Sequence, residues 1–240
     1  MLNFNIDRVA FSLFGIDIYW YAILIISGVL IGAKIAQKEF VNRGFSEDFI
    51  YDLLFVILPF AIIGARIWYV IFEWDFYKND PIQILNFRAG GLAIHGGILF
   101  AIISIYFYTK KKNLPLIDIL DVMVPSLALG QAIGRWGNFV NGEAHGTPTN
   151  LPWAIIVIGD FLIFLFLIIY RKKNPKKGIQ TGVYFMAYGV LRFFVEGLRT
   201  DSLMIGSFRM AQLTSVVYLI VGIFLFVKYK NINLKPYKKK

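Results

Sequence analysis

The sequence contains no cysteine, which excludes disulfide bonds and thiol catalysis by the protein's own side chains. Only two histidines are present, His95 and His145, so neither a histidine-based metal site nor a cofactor is expected. Charged residues are also scarce, at 17% of the chain against about 25% in an average soluble domain. No basic stretch precedes the first apolar run, so no cleavable signal peptide is predicted.

The chain is instead rich in apolar side chains. Of its 240 residues, 58% are hydrophobic and 17% are aromatic, whereas a soluble domain averages about 45–50% apolar residues. This composition predicts an all-α, polytopic membrane protein with a single integral-membrane domain over residues 1–240. The net charge of +10 comes mostly from short basic clusters between apolar runs, a pattern of cytoplasmic loops rather than of nucleic-acid binding.

Seven apolar stretches approach the roughly 20 residues that a helix needs to cross the hydrocarbon core. We predict membrane helices at about 17–36, 49–72, 92–109, 116–140, 153–170, 179–198 and 210–229. Basic clusters follow the first, third, fifth and seventh stretches, at Lys34, Lys38 and Arg43, at 110–112, at 171–177 and in the C-terminal tail. Because cytoplasmic loops are enriched in Lys and Arg, the N-terminus is predicted outside and the C-terminus in the cytoplasm.

Polar residues concentrate at the predicted outer level of three separate stretches. Arg135 and Asn138 share a helix face beside glycines, which is also the pattern of a tightly packing helix. Arg192 and Glu196 are four residues apart, so an internal ion pair is one explanation for them. His95 lies among four glycines, which suggests irregular backbone lining a cavity, although a lone histidine is usually structural.

The balance of charge at this level points to an anionic ligand. Arginines outnumber carboxylates there, with Arg66, Arg135 and Arg192 against Glu143 and Glu196. Guanidinium groups bind phosphate through two hydrogen bonds at once. We therefore predict an outward-facing pocket for an anionic phospholipid, with one histidine as proton acceptor.

Five stretches resemble the motifs of the prolipoprotein diacylglyceryl transferases, and they occur along the chain in the same order as in that family. "GRWGNFVNGEAHG" is similar to the family signature, and "IYWYAI", "GARIWYVIF", "GGLAIHGG" and "RFFVEGLRTD" resemble its tyrosine, arginine, histidine and arginine-glutamate motifs. The resemblance implies four catalytic residues, His95, Arg135, Arg192 and Glu196. It also implies a set of substrate-binding residues: Tyr21, Arg66, Asn138, Asn141, Glu143, Gly146 and Arg199.

The same resemblance implies a reaction in the bacterial cytoplasmic (inner) membrane, with the active site toward the outer leaflet. The diacylglyceryl group of phosphatidylglycerol moves to the lipobox cysteine of a prolipoprotein signal peptide, and glycerol phosphate leaves. His95 then serves as base for the thiol, and the two catalytic arginines stabilise the phosphate. Glu196 holds Arg192 in this scheme.

One departure from the family pattern keeps a second function open. The family usually continues after "LPWA" through a His-Pro-Thr-x-Leu-Tyr-Glu motif, which is absent here, so Asp160 is expected inside the fifth helix, where a carboxylate needs a partner. The alternative is a non-catalytic membrane protein that binds anionic lipid or signal peptide on this scaffold. A small transporter is disfavoured, because the sequence has no internal repeat and its polar groups cluster at one leaflet.

Overall fold

The structure is a computed structural model that describes residues 7–87, 90–141, 155–173, 176–197, 204–205 and 208–231. These residues are mostly helical. The helices are α1 (Trp20–Asn42), α2 (Phe49–Phe72), α3 (Trp74–Tyr77), α4 (Ile94–Lys111), α5 (Leu116–Asn141), α6 (Ile155–Lys172), α7 (Ile179–Gly197) and α8 (Met210–Asn231). A 3₁₀ helix, Pro81–Leu85, lies between α3 and α4.

All seven apolar stretches predicted from the sequence contain a long helix. Four of these helices, α1, α2, α5 and α8, are long and apolar enough to cross a membrane. Large apolar side chains on them are exposed, such as Leu30 on α1, Phe55 on α2 and Phe224 on α8, as expected for helices surrounded by lipid. The chain is therefore a multi-pass membrane protein. That α4, α6 and α7, of 18 or 19 residues, also span remains a prediction.

The all-α prediction is incomplete, because the structure contains two small antiparallel hairpins. Strands β1 (Val9–Leu13) and β2 (Ile16–Tyr19) pair with Leu13 opposite Ile16. The two residues between them, Phe14 and Gly15, both have positive φ angles, 50° and 76°, as a two-residue type I′ turn requires. The predicted first span therefore begins too early, since α1 starts only at Trp20. Strands β3 (Met204–Ile205) and β4 (Phe208–Arg209) form the second hairpin.

The structure divides into two compact units, and the larger one comprises residues 1–44 and 120–240. Small residues bring its helices into close contact: a Cβ added to Gly28 of α1 would lie 3.6 Å from the Cα of Gly130 in α5. A Cβ on Gly182 of α7 would lie 2.9 Å from the backbone nitrogen of Phe226 in α8. Such contacts replace the hydrophobic driving force that is missing between helices in lipid.

The start of α7 is fixed by a buried carboxylate from α5. Asp121 accepts hydrogen bonds from the backbone nitrogens of Gly178 and Thr181, at 2.6 and 2.9 Å, and from the Thr181 hydroxyl at 2.5 Å. A helix N-terminus has unpaired N–H groups and a positive dipole end, which a carboxylate satisfies. Asp121 therefore sets the position from which α7 runs toward Arg192 and Glu196.

The smaller unit comprises residues 45–119 and is built on the contact between α2 and α4. A Cβ on Gly96 of α4 would come within 2.2 Å of the carbonyl oxygen of Gly64 in α2, so only glycine allows this approach. Just before α4, the Ala93 nitrogen donates to the Ala65 carbonyl of α2 at 3.0 Å. These contacts fix the first turn of α4 against α2.

Candidate functional site

Four charged side chains of α5, α6 and α7 form a cluster, which we call the arginine cluster: Arg135, Asp160, Arg192 and Glu196. Nε of Arg135 lies 3.6 Å from Oδ2 of Asp160, and Nη2 of Arg192 lies 3.0 Å from Oε2 of Glu196. Both carboxylates are buried, with Asp160 1% and Glu196 2% exposed. The sequence spacing correctly predicted the Arg192–Glu196 pair, and three of the four predicted catalytic residues meet here.

Asp160 is the member of the cluster whose role the sequence did not reveal. Asp160 was expected inside the fifth helix and in need of a partner, but nothing in the sequence pointed to Arg135, 25 positions earlier on another helix. At 3.6 Å the contact is an ion pair that is too long for a hydrogen bond. Both carboxylate oxygens of Asp160 are buried and have no hydrogen-bond donor among the described residues.

Asp160 also changes the expected balance of charge. Two guanidinium groups face two carboxylates in the cluster, so it is neutral in its present arrangement, whereas the sequence suggested an excess of positive charge. The cavity between Arg135, Asp160 and Arg192, also lined by Tyr188, Leu191 and Val195, measures about 10 Å³, no more than a water molecule occupies. A phosphate can enter only if at least one arginine side chain moves.

Two tyrosines extend the cluster along α7. The rings of Tyr184 and Tyr188 are stacked with centroids 5.8 Å apart. The Tyr184 hydroxyl donates to Oε1 of Gln131 in α5, at 3.0 Å, one turn before Arg135. At the other end of α7, Nη1 of Arg209 in β4 donates to the Glu196 carbonyl. The sequence did not predict this contact. These bonds hold α7 against its neighbours on both sides of Arg192.

An apolar groove of about 460 Å³ between α6 and α7 adjoins the arginine cluster. Its walls include Leu162, Ala187 and Phe194, and it shares Leu191 and Val195 with the small cavity between the charged side chains. One wall thus separates a hydrocarbon-lined groove from two guanidinium groups. An apolar groove next to guanidinium groups matches a phospholipid, in which apolar acyl chains are joined to a charged phosphate.

The predicted substrate-binding residues are described unevenly. Asn138 and Asn141 are half-buried in the last turns of α5, whereas Glu143, Gly146 and Arg199 lie outside the described residues. His95 belongs to the first turn of α4, but its side chain is not among those described. The role of His95 as base, and its grouping with the arginine cluster, therefore remain predictions.

Arg66 makes contacts other than those expected of a substrate ligand. It lies in α2, only 3% exposed, and its guanidinium donates to backbone carbonyls of the 3₁₀ helix and of the loop between that helix and α4. The chain thus satisfies this cation with its own backbone. No cluster of His, Asp or Glu able to hold a metal ion occurs in the part of the chain that the structure describes.

Tyr21 lies at the start of α1 with its ring against Gly137 of α5, where a Cβ would come within 2.6 Å of Cδ2. We expect Gly137→Ala to push the Tyr21 ring aside and to lower the free energy of unfolding by about 1–3 kcal/mol. If Tyr21 positions the lipid headgroup, the KM for phosphatidylglycerol rises as well. Thermal unfolding in detergent and steady-state kinetics measure the two effects.

Gly130→Ala is the matched control, because it lies on the same helix and a Cβ there meets nothing within 4 Å. This variant should be at least as stable as the unmodified chain, since alanine is favoured over glycine in a helix by about 0.5–1 kcal/mol. Equal behaviour of the two variants would contradict a tight Tyr21–Gly137 contact.

Comparison with known proteins gives one consistent result. The family model described as prolipoprotein diacylglyceryl transferase matches residues 8–228. Three relatives named phosphatidylglycerol–prolipoprotein diacylglyceryl transferase come from Finegoldia magna, Clostridioides difficile and Bacillus cereus. They are 53%, 47% and 41% identical to this chain, and the alignments cover 97%, 95% and 94% of it and 100%, 98% and 93% of the relatives.

The alignments are longer than this chain. They extend over 248, 242 and 252 positions, more than the 240 residues of this chain. Each relative therefore has residues at positions where this chain has none. With the family model matched over most of its length and identities above 40% over nearly all of it, the chain belongs to the prolipoprotein diacylglyceryl transferase family.

Proposed function

We propose that this protein transfers the diacylglyceryl group of phosphatidylglycerol to the cysteine thiol in the lipobox of a prolipoprotein signal peptide. The observation that carries the proposal is the apolar groove, which shares the wall residues Leu191 and Val195 with the small cavity beside Arg135 and Arg192. A lipid with one acyl chain in the groove has its phosphodiester beside Arg135 and Arg192. The names of the relatives state the same two substrates.

The groove and the arginines contribute differently to lipid binding. An acyl chain is already in hydrocarbon when it lies in the bilayer, so its transfer into the groove brings little hydrophobic gain. The groove therefore selects by shape. Affinity and headgroup selection come from the guanidinium groups, which must exchange a carboxylate for the phosphate when lipid binds.

The reaction raises negative charge at the phosphate, and this is where the arginines act. The thiolate sulfur attacks the glyceryl carbon that carries the phosphate, a C–S bond forms, and the C–O bond breaks. The electron pair of that bond leaves with glycerol phosphate, so a phosphodiester with one negative charge becomes a phosphomonoester with two. Preorganised cations stabilise such a transition state more than the ground state.

The thiol must lose its proton before it can attack. A free cysteine has a pKa near 8.5, so most of it is protonated at neutral pH. His95 accepts this proton in the proposed mechanism, because an imidazole titrates near neutral pH. Asn138, Asn141, Glu143, Gly146 and Arg199 bind the headgroup and the peptide around it.

In the proposed topology, seven membrane helices and an external N-terminus put this chemistry at the outer leaflet of the bacterial cytoplasmic membrane. The basic ends of three helices support this orientation: Lys110 and Lys111 end α4, Arg171 and Lys172 end α6, and Lys228 and Lys230 end α8. Basic residues mark the cytoplasmic side. Arg135 and Arg192 lie near the C-terminal ends of α5 and α7, and His95 lies at the N-terminal end of α4. In the proposed topology all three of these helix ends face outside.

The test is transfer in reconstituted vesicles that contain phosphatidylglycerol, with a synthetic lipobox peptide as acceptor. We expect the peptide to gain the mass of one diacylglyceryl group and glycerol phosphate to appear in equal amount. The same peptide with serine in place of cysteine should not react. Binding of lipid and peptide without release of glycerol phosphate would instead identify a non-catalytic protein, and complementation of a cell depleted of its own transferase would fail as well.

A further inference from the structure

Every hydrogen-bond donor of Arg66 is used within the protein. A guanidinium has five N–H groups, and each donates to one backbone carbonyl, those of Gln83, Ile84, Asn86, Gly90 and Gly91. The bonds from Nε to Ile84 and from Nη1 to Gly90 measure 2.8 and 2.6 Å. In this arrangement no N–H of Arg66 remains for a phosphate.

Two aromatic rings also lie close to the guanidinium. The ring centroids of Tyr77 and Phe87 lie 5.1 and 5.5 Å from Cζ of Arg66, within the range of cation–π attraction. Tyr77 is itself buried. Arg66 thus differs from Arg135 and Arg192, which pair with carboxylates around a cavity.

The carbonyls that Arg66 binds belong to the segment leading into α4. We call residues 81–87 and 90–93 the clamp loop. At its end, the Ala93 nitrogen donates to the carbonyl of Ala65, the neighbour of Arg66 in α2, and His95 follows two positions later in α4. Because α2 holds the clamp loop through both Ala65 and Arg66, it also sets where α4 begins.

We infer that Arg66 is a positioning residue, which shapes the clamp loop and thereby sets the place of His95, rather than a ligand of the lipid headgroup. Only arginine offers five N–H donors from one planar group, enough to hold all five of these carbonyls at once. The structural part of this inference stands alone, and its consequence for catalysis rests on the proposed function.

Arg66→Lys separates the two roles. Lysine keeps the charge, so a headgroup ligand would be partly preserved, but its three donors cannot serve five carbonyls. We expect kcat to fall about 100-fold, as for a small misplacement of a catalytic group, with the KM for phosphatidylglycerol unchanged. Lys78→Ala, which removes an exposed cation paired with Asp75, is the control and should leave both constants unchanged.

A pair of neighbouring glycines gives a second test that leaves Arg66 in place. Gly90 and Gly91 both have positive φ angles, 84° and 77°, so alanine is strained at either position. A Cβ at Gly91 would lie 2.4 Å from Nη1 of Arg66, whereas a Cβ at Gly90 meets nothing within 4 Å. We expect Gly91→Ala to lower kcat well below that of Gly90→Ala.

Hydrogen exchange of the clamp-loop amides measures whether Arg66 holds the clamp loop, and this measurement does not require an active enzyme. Exchange should accelerate in Arg66→Lys and Gly91→Ala relative to Lys78→Ala and Gly90→Ala. Unchanged exchange, or a raised KM with kcat retained, would overturn the inference and return Arg66 to the headgroup. If the unmodified protein proves inactive, the proposed function fails, while the exchange measurement still decides whether Arg66 holds the loop.

Discussion

Replacing His95 by glutamine is expected to lower thioether formation at pH 7 by about 10²–10⁴-fold, the usual contribution of a general base. Glutamine keeps the size and hydrogen-bonding capacity of the side chain but cannot accept the thiol proton. Phosphatidylglycerol binding should persist, because the proposed phosphate ligands are Arg135 and Arg192. The measurement is the initial rate of lipobox-peptide alkylation in vesicles, together with lipid binding.

The pH dependence of this defect distinguishes a base from a structural histidine. As the pH rises through about 8.5, the cysteine ionises without help, so the rate of His95→Gln should approach that of the unmodified protein. A variant damaged only in its folding lacks this recovery. A rate deficit that stays constant between pH 6.5 and about 9 would show that His95 does not take the proton.

The second large effect concerns Asp160, the buried partner of Arg135. Asp160→Leu leaves the Arg135 guanidinium without this partner, and breaking a buried ion pair costs about 3–5 kcal/mol. We expect a correspondingly lower thermal midpoint in detergent and less protein in the membrane. Asp75→Leu removes the exposed partner of Lys78 and serves as control, because exposed pairs contribute about 0–1 kcal/mol.

Replacing both partners separates stability from catalysis. Arg135→Met combined with Asp160→Leu removes both charges and fills the space with apolar atoms, which is often neutral for stability. This double variant should therefore recover most of the lost stability, yet remain about 10²–10³-fold less active, because a charge-stabilising donor is gone. An Asp160→Leu protein as stable as Asp75→Leu, or an active double variant, would contradict the assigned roles.

The helices were predictable because their signal is local. Predominantly apolar runs such as 49–72 correspond to a helix with the same bounds, Phe49–Phe72. The β1–β2 hairpin escaped prediction because its residues are as apolar as the helix that follows, and its turn depends on the backbone angles of Phe14 and Gly15. Hydrophobicity alone does not separate the two conformations.

The site was predictable only where its partners share a helix. The spacing of Arg192 and Glu196 specifies their contact, whereas the pairing of Arg135 with Asp160 depends on how α5 and α6 pack. Arg66 illustrates the same limit: the sequence predicted it as a substrate-binding residue, and did not reveal that backbone carbonyls would bind it. Motifs indicate which side chains matter, and tertiary structure decides what each one contacts.

The connectivity of the arginine cluster has a consequence for biogenesis. If α6 and α7 span the membrane as predicted, Asp160 enters the bilayer on the helix that follows that of Arg135, and Arg192 enters together with Glu196 on one helix. Each of these two cations can be neutralised as soon as its own hairpin or helix leaves the translocon. During insertion from the N-terminus onward, neither arginine therefore has to remain in lipid without a carboxylate until a distant segment of the chain has been synthesised.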